Sequence, residues 1–157
     1  MNAAEQGHLL LKQGQAKEAE AAFRRVLEVD PDHVEALNVV GLASLRDGDI
    51  DRALTLLKRA TAVDGGQALT HLHLGRAHAA AFELEAAAAA YATALVREPR
   101  MHIARLHLAE LHERRGDTMR AVMMYARALN DAQAEGRWLN AATTSAGLQS
   151  AVYHAQK

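Results

Sequence analysis

The sequence contains no cysteine, only two prolines, and few aromatic residues, which make up 4% of its 157 positions. The absence of cysteine excludes disulfide frameworks, thiolate metal sites and a cysteine nucleophile, and it fits a reducing compartment. No apolar run approaches the ~20 residues that a membrane span needs. The N-terminal stretch also lacks the basic start of a signal peptide. We therefore predict a cytoplasmic location.

Neither sign of charge is in excess, since 18 basic and 19 acidic residues leave a formal net charge of −1. Nucleic acids and anionic membranes bind basic surfaces, so this balance predicts neither as a partner. The sequence also lacks a Gly-rich phosphate loop, a Ser–His–Asp arrangement and a zinc-protease motif. We predict that this chain by itself has no catalytic residue, no cofactor and no enzymatic activity.

What the sequence does contain is one pattern written four times, at a spacing of 34 residues and without insertions. Each copy has two small residues and one large residue at fixed positions. Small residues allow two helices to cross closely, and a larger side chain there would overpack the crossing. The three columns are Gly7, Gly41, Gly75 and Ala109; Ala19, Ala53, Ala87 and Ala121; and Phe23, Leu57, Tyr91 and Tyr125.

Each copy predicts a helical hairpin, because its apolar residues recur at helical spacing on both sides of a short turn. The turns contain Gly14, Gly48 and Gly116, whereas the third copy has Phe82 at this position. We predict four units at 1–33, 34–67, 68–101 and 102–135. Their helices are predicted at ~2–13 and ~16–29, ~34–46 and ~50–62, ~68–80 and ~84–96, and ~102–114 and ~118–131.

The repeat stops after residue 135. Residues 140–145 resemble a loop, and a last helix is predicted at ~145–156, because Leu148, Ala151 and Val152 form an apolar stripe. Repeat arrays need terminal elements that cover their exposed ends. Residues 136–157 are therefore expected to form a loop and a C-terminal capping or linker helix.

The spacing and the columns closely resemble the tetratricopeptide repeat (TPR) family. The resemblance covers about residues 1–135 and implies an all-α fold, a right-handed TPR α-solenoid of four helix pairs plus a C-terminal helix. In this family the concave face binds extended peptides or partner helices, so a protein–protein interaction scaffold is implied. The family's Leu-Gly pair and terminal Pro are represented by Val40-Gly41, Leu74-Gly75, Pro31 and Pro99.

The resemblance places the concave groove on the first helix of each unit. Residues of these helices that do not pack inside their own unit form an apolar centre with a charged rim, which suits a peptide or an amphipathic helix. The predicted partner-binding residues are Asn38, Leu42, Leu45, Arg46, Leu69, Leu72, His73, Arg76, Ile103, Leu106, His107, Glu110 and Arg114. A Leu72→Asp variant is predicted to lose partner binding while remaining folded.

Nine histidines are present, and two pairs repeat at 34 residues, His73 with His107 and His78 with His112. Two imidazoles with a nearby carboxylate would form an incomplete metal site. In the TPR family, the column of His78 and His112 is usually filled by Tyr, so we interpret the histidines as packed, half-buried residues and predict no metal ligand. A metal-binding or pH-sensing role is the alternative. His78 and Glu83 are not expected to share a helix face.

Two alternative functions remain. The segment from Trp138 to Ala155 is similar to the junction that follows TPR units in bacterial proteins of the aspartyl/asparaginyl β-hydroxylase type. The chain would then be the non-catalytic N-terminal segment of a larger enzyme, such as a 2-oxoglutarate-dependent Asp/Asn hydroxylase, a sulfotransferase or a glycosyltransferase, whose catalytic domain lies beyond Lys157. In the second alternative the exposed apolar strip self-associates and the chain is a homo-oligomeric structural module.

Overall fold

The computed structural model describes the backbone of residues 1–134 and 138–156, and the side chains of residues 1–134, 145–154 and 156. Within this part every regular element is an α-helix, so the predicted all-α class is confirmed. None of the described helices is long and apolar enough to span a membrane. The helices are α1 (Ala3–Lys12), α2 (Ala16–Val29), α3 (Val34–Arg46), α4 (Ile50–Val63), α5 (Ala68–Ala80), α6 (Leu84–Arg97), α7 (His102–Arg114), α8 (Thr118–Ala134) and α9 (Trp138–Ala155).

The observed bounds of α3, α5 and α7 are those predicted from the sequence. Helix α8 extends to Ala134, farther than predicted, because Gln133 stands where Pro31 and Pro99 follow the ends of α2 and α6. The boundary predicted at residue 135 lies outside the described residues.

The loop predicted over residues 140–145 is wrong, because α9 already begins at Trp138. Asn140, Thr143 and Thr144 have low helix propensity. Propensity is a weak prior that tertiary packing overrides. Here α9 packs along α8, and alanines are interspersed among the polar residues.

The chain divides into two compact units, Met1–Glu83 and Leu84–Lys157, and each is described by itself. In the first unit α1 pairs with α2 and α3 pairs with α4, while α2 also packs against α3, and α5 packs against both α3 and α4. Gly14 and Gly48 adopt φ of 74° and 84° in the two hairpin turns. Phe82 adopts φ 60° in the turn that follows α5, a left-handed conformation that disfavours a side chain.

Two glycines of the first column, Gly7 and Gly41, lie directly against the large residue of their own hairpin. A Cβ at Gly7 would lie 2.7 Å from Phe23 Cε2, and a Cβ at Gly41 would lie 2.9 Å from Leu57 Cγ. Phe23 also reaches the next hairpin, where it lies in a buried cluster with Val40 of α3.

In the second unit α7 pairs with α8, and α9 packs on α8. Tyr125 is 2% exposed and lies in a cluster that includes Ala151 of α9. A Cβ at Gly147 would lie 2.5 Å from Tyr125 Cε1, so α9 approaches this ring as closely as α1 approaches Phe23. Helix α9 therefore packs against the last hairpin of this unit, and its capping or linker role stays a prediction.

Candidate functional site

The first unit contains a concave pocket of about 860 Å³, which we call the first-unit pocket. Helices α3 and α5 supply most of its wall, and residues from the end of α1 and the start of α2 complete it. Its volume is in the range of sites that bind ligands. The lining residues are Leu11, Ala16, Glu20, Glu35, Asn38, Val39, Leu42, Ala43, Leu45, Arg46, Gln67, Leu69, His73 and Arg76.

The floor of the pocket is apolar. Leu42 and Leu45 are three residues apart on α3 and therefore lie on one face of that helix. Leu69 contributes from α5 and is 50% exposed. Burying apolar surface against these leucines would gain about 25 cal/mol per Å². The floor can therefore hold an apolar side chain of a ligand.

A buried carboxylate lies at one side of the pocket. Glu20 of α2 is 5% exposed, and its two oxygens lie 2.6 Å from Arg24 Nη2 and 2.9 Å from Arg46 Nη2. Arg46 Nε also lies 3.0 Å from Asp47 Oδ1. Hydrogen bonds with Asp47 and Glu20 raise the pKa of Arg46. These contacts fix the position of the Arg46 guanidinium at the edge of the pocket.

Glu20 is not among the predicted binding residues, because those lie on the first helix of each unit and Glu20 lies on α2. The available signal was an acidic residue next to Ala19 on the inner face of α2, four residues before Arg24. A carboxylate on an inner face needs a cationic partner.

Two polar side chains of the pocket are buried and keep unused hydrogen-bonding capacity. Asn38 Nδ2 donates to Thr70 Oγ1 at 2.8 Å, which links α3 to α5. Asn38 Oδ1 and His73 Nδ1 have no hydrogen-bond partner among the described residues. Asn38 is 6% exposed and His73 is 9% exposed. Burial, together with the nearby charge of Arg76, lowers the pKa of His73 to about 4, so its imidazole is neutral near pH 7.

Most of the predicted partner-binding residues of the first unit lie in this pocket. Leu72 is the exception, because it is 5% exposed and is not part of the lining. The expectation that Leu72→Asp leaves the fold intact is therefore corrected, since a charge at this position would be buried. The residues that the structure brings together are Asn38, Leu42, Leu45, Arg46, Leu69, His73 and Arg76.

The other predicted residues lie on α7 of the second unit. Leu106 packs against the cluster that contains Tyr125. The His107 ring stacks on Tyr91 with centroids 5.4 Å apart, and its Nδ1 lies 3.0 Å from Glu110 Oε2. Partner binding by these α7 residues stays a prediction. They are Ile103, Leu106, His107, Glu110 and Arg114.

The histidines at the ends of two first helices are engaged by acidic residues. His78 is 8% exposed, and its Nδ1 lies 2.5 Å from Glu83 Oε2. The two residues are in contact although they do not share a helix face, because Glu83 lies beyond the end of α5. The turn at Phe82 brings Glu83 back onto the helix end. His112 has a similar contact with Asp117 at 3.7 Å. Among the described residues, no group of three or more His, Asp or Glu could hold a metal ion.

The fold and the pocket define a class of protein, the helical-hairpin repeat with a concave binding surface. The family model for the tetratricopeptide repeat matches residues 5–68 and 72–145, and the chain belongs to this family. The family match confirms the resemblance to TPR proteins and the predicted TPR α-solenoid fold class. As a TPR protein the chain is a protein–protein interaction scaffold. No curated protein matches the sequence.

Solved structures of other TPR proteins share the fold. A crystal structure of MamA is 21% identical over 96% of this chain and 94% of that chain, with a TM-score of 0.69. The crystal structure of PcrH in complex with the chaperone binding region of PopD is 23% identical over 78% of this chain and 93% of that chain, with a TM-score of 0.73. An O-GlcNAc transferase mutant from Thermobaculum terrenum is 29% identical over 83% of this chain but only 25% of that chain, with a TM-score of 0.74.

Proposed function

We propose that the chain binds a linear segment of a protein partner in the first-unit pocket. The observation that carries this proposal is an open pocket of about 860 Å³ with Leu42, Leu45 and Leu69 on its floor and the arginines Arg46 and Arg76 at its edge. Apolar anchors in such a floor supply affinity, and a polar rim sets orientation. PcrH, which shares the fold, has been crystallised with a segment of PopD.

The experiment that tests this proposal uses Leu69→Asp. Leu69 is 50% exposed, so a charge there remains hydrated and the helix should still fold. Val63→Asp is the matched control, because Val63 is 48% exposed in the same unit and does not line the pocket. A phage-displayed library of random dodecapeptides is selected on the wild-type chain, and the dissociation constants of synthetic binders are measured by fluorescence anisotropy.

Leu69→Asp is expected to weaken binding at least tenfold, because a peptide would have to bury its apolar side chain against a carboxylate. Val63→Asp is expected to change the dissociation constant by less than about twofold. The proposal is wrong if the wild-type chain selects no peptide, or if both variants bind the selected peptides equally well.

We further propose that this chain has no catalytic activity of its own. As a second candidate context, we propose that the chain is the TPR segment of a larger enzyme. The match to about a quarter of an O-GlcNAc transferase chain supports this context, since the matched part of that enzyme is its TPR portion. Immunoblotting of the native host with an antibody to this chain tests it, because a TPR segment of an enzyme would migrate well above the 17.0 kDa of this sequence. Self-association and the cytoplasmic location stay predictions, and light scattering of the purified chain tests the first.

A further inference from the structure

Helix α9 differs from the other helices of the chain in its lack of charge. From Trp138 to Ala155 the sequence contains no Asp, Glu, Lys or Arg, whereas each helix from α1 to α8 contains at least one of them. A terminal element of a repeat array normally presents a polar outer face that keeps the array soluble. Val152 and Tyr153 of α9 are instead 37% and 57% exposed. Depletion of charge together with an exposed aromatic residue is typical of the core of a protein–protein interface.

The exposed side of α9 holds a groove of about 380 Å³, which we call the α9 face. The described residues that line it all belong to α9, and they are Leu148, Gln149, Val152, Tyr153 and Gln156. Leu148, Val152 and Gln156 form one ridge at intervals of four residues, and Gln149 and Tyr153 form a second ridge beside it. Helices pack most commonly when such ridges of one helix lie in the grooves of the other. The α9 face therefore has the shape that receives another helix.

The helix that binds the α9 face must itself be uncharged where the two touch. A charged side chain brought against this face would lose its hydration without gaining a counterion, which is costly. A second copy of α9 meets this condition, because it brings the same uncharged residues and the same ridges. The formal net charge of the chain is −1, so little repulsion opposes the approach of two copies.

We propose that the α9 face binds the α9 face of a second copy of this chain and forms a two-fold symmetric dimer. The α9 face shares no residue with the first-unit pocket, so this surface is additional to the proposed function. In an antiparallel pair with the two-fold axis between Val152 and Tyr153, Val152 of one copy lies opposite Tyr153 of the other, and Gln149 lies opposite Gln156. An amide both donates and accepts, so the opposed glutamines hydrogen-bond to each other.

Sedimentation velocity of the full chain at increasing concentration tests this proposal. One helix crossing is smaller than the ~1,600 Å² of a standard interface, so we expect a dissociation constant of about 10–100 μM. The weight-average mass should rise from 17.0 kDa towards twice that value over this range. A mass that stays at 17.0 kDa up to about 500 μM would overturn the proposal.

A charge on the α9 face should disrupt the dimer. Val152→Asp is expected to raise the dissociation constant at least tenfold, because two carboxylates would approach each other and lose hydration near the axis. Val96→Asp is the matched control, because Val96 is 77% exposed on α6 of the same unit and does not line the α9 face. Circular dichroism verifies that both variants keep their helix content. Equal dissociation constants for the two variants would contradict an interface on α9.

The two glutamines test the antiparallel register. Gln149→Glu with Gln156→Lys should place unlike charges opposite each other and strengthen the dimer several-fold at low salt, whereas lysine at both positions should weaken it. The first pair of changes leaves the formal net charge at −1, and the second changes it to +1, so the overall repulsion is equal in size. Seven residues, about 10 Å, separate the two positions along one helix, so the changes act mainly between copies. Equal dimerisation of the two double variants would refute this pairing.

Association through the first-unit pocket is distinguished by Leu69→Asp. This variant should dimerise as the wild-type chain does, and Val152→Asp should still bind the peptides selected on the wild-type chain. A dimer that dissociates in Leu69→Asp but persists in Val152→Asp would overturn the α9 interface and place self-association on the pocket. Failure of the proposed function would instead appear as peptide binding that does not depend on Leu69, with no effect on the dimer.

Discussion

Replacing Gly41 by alanine tests the close helix crossing on which the hairpins depend. The added Cβ would lie 2.9 Å from Leu57 Cγ and 3.1 Å from Leu57 Cδ2, and Leu57 is fully buried, so it has little room to move. Overpacking of this kind costs about 1–3 kcal/mol. Alanine in place of glycine inside a helix regains about 1 kcal/mol. We therefore expect Gly41→Ala to lower the free energy of unfolding by about 1 kcal/mol.

The sign of this effect should reverse when Leu57 is truncated. Leu57→Ala alone is expected to cost about 2–5 kcal/mol through lost burial and the cavity left behind. It removes the two atoms that the new Cβ would meet, and leaves Leu56 Cβ at an ordinary 3.6 Å. In this background Gly41→Ala retains only its gain in helix propensity, so the double variant should be more stable than Leu57→Ala. Urea unfolding followed by circular dichroism measures all three variants. Effects that add within about 0.5 kcal/mol would refute the packing argument.

Two other predictions concern the turn after α5 and the buried imidazole. Phe82→Gly should raise the free energy of unfolding by about 1 kcal/mol. A side chain at positive φ costs about 1–2 kcal/mol, and the added conformational entropy of glycine in the unfolded chain offsets part of the gain from removing it. Phe82→Ala keeps the Cβ and should give no gain in the same urea assay. His73 has its pKa lowered to about 4, so the folded chain binds fewer protons than the unfolded chain between about pH 6.5 and pH 4. The free energy of unfolding should therefore be highest above about pH 6.5 and should fall by up to about 3 kcal/mol as the pH drops to about 4. His73→Gln should remove this part of the pH dependence. If the free energy of unfolding falls equally with pH in both proteins, the prediction is wrong.

The candidate site was predictable where it follows the repeat. Leu42, Leu45 and Leu69 have the helical spacing and the position in the unit that place them on the concave side, and all three line the first-unit pocket. Leu72 has similar chemistry and lies on the same helix as Leu69, yet it is buried. A pattern of apolar residues identifies a helix that packs, but it does not identify which leucine faces a neighbour and which faces the pocket.

The contacts that give the pocket its chemistry depend on residues far apart in the sequence. Glu20 meets Arg46, and Asn38 meets Thr70, across different helices. No spacing rule within one helix relates such pairs. Glu83 reaches His78 because the chain turns back after α5, and no helix-face argument includes a residue beyond the helix end.

The sequence by itself determined that this chain is an all-α TPR protein, because the constraint of close helix crossing repeats at a constant interval and is visible in residue size alone. It also determined most helix bounds, since turn residues and apolar periodicity act locally. Only the tertiary structure decided where α9 begins, which leucines remain exposed, and that Asn38 and His73 are left with unused hydrogen-bonding capacity inside the pocket. The physical reason is that burial and hydrogen-bond pairing are properties of neighbouring helices, and the packing of these helices sets them.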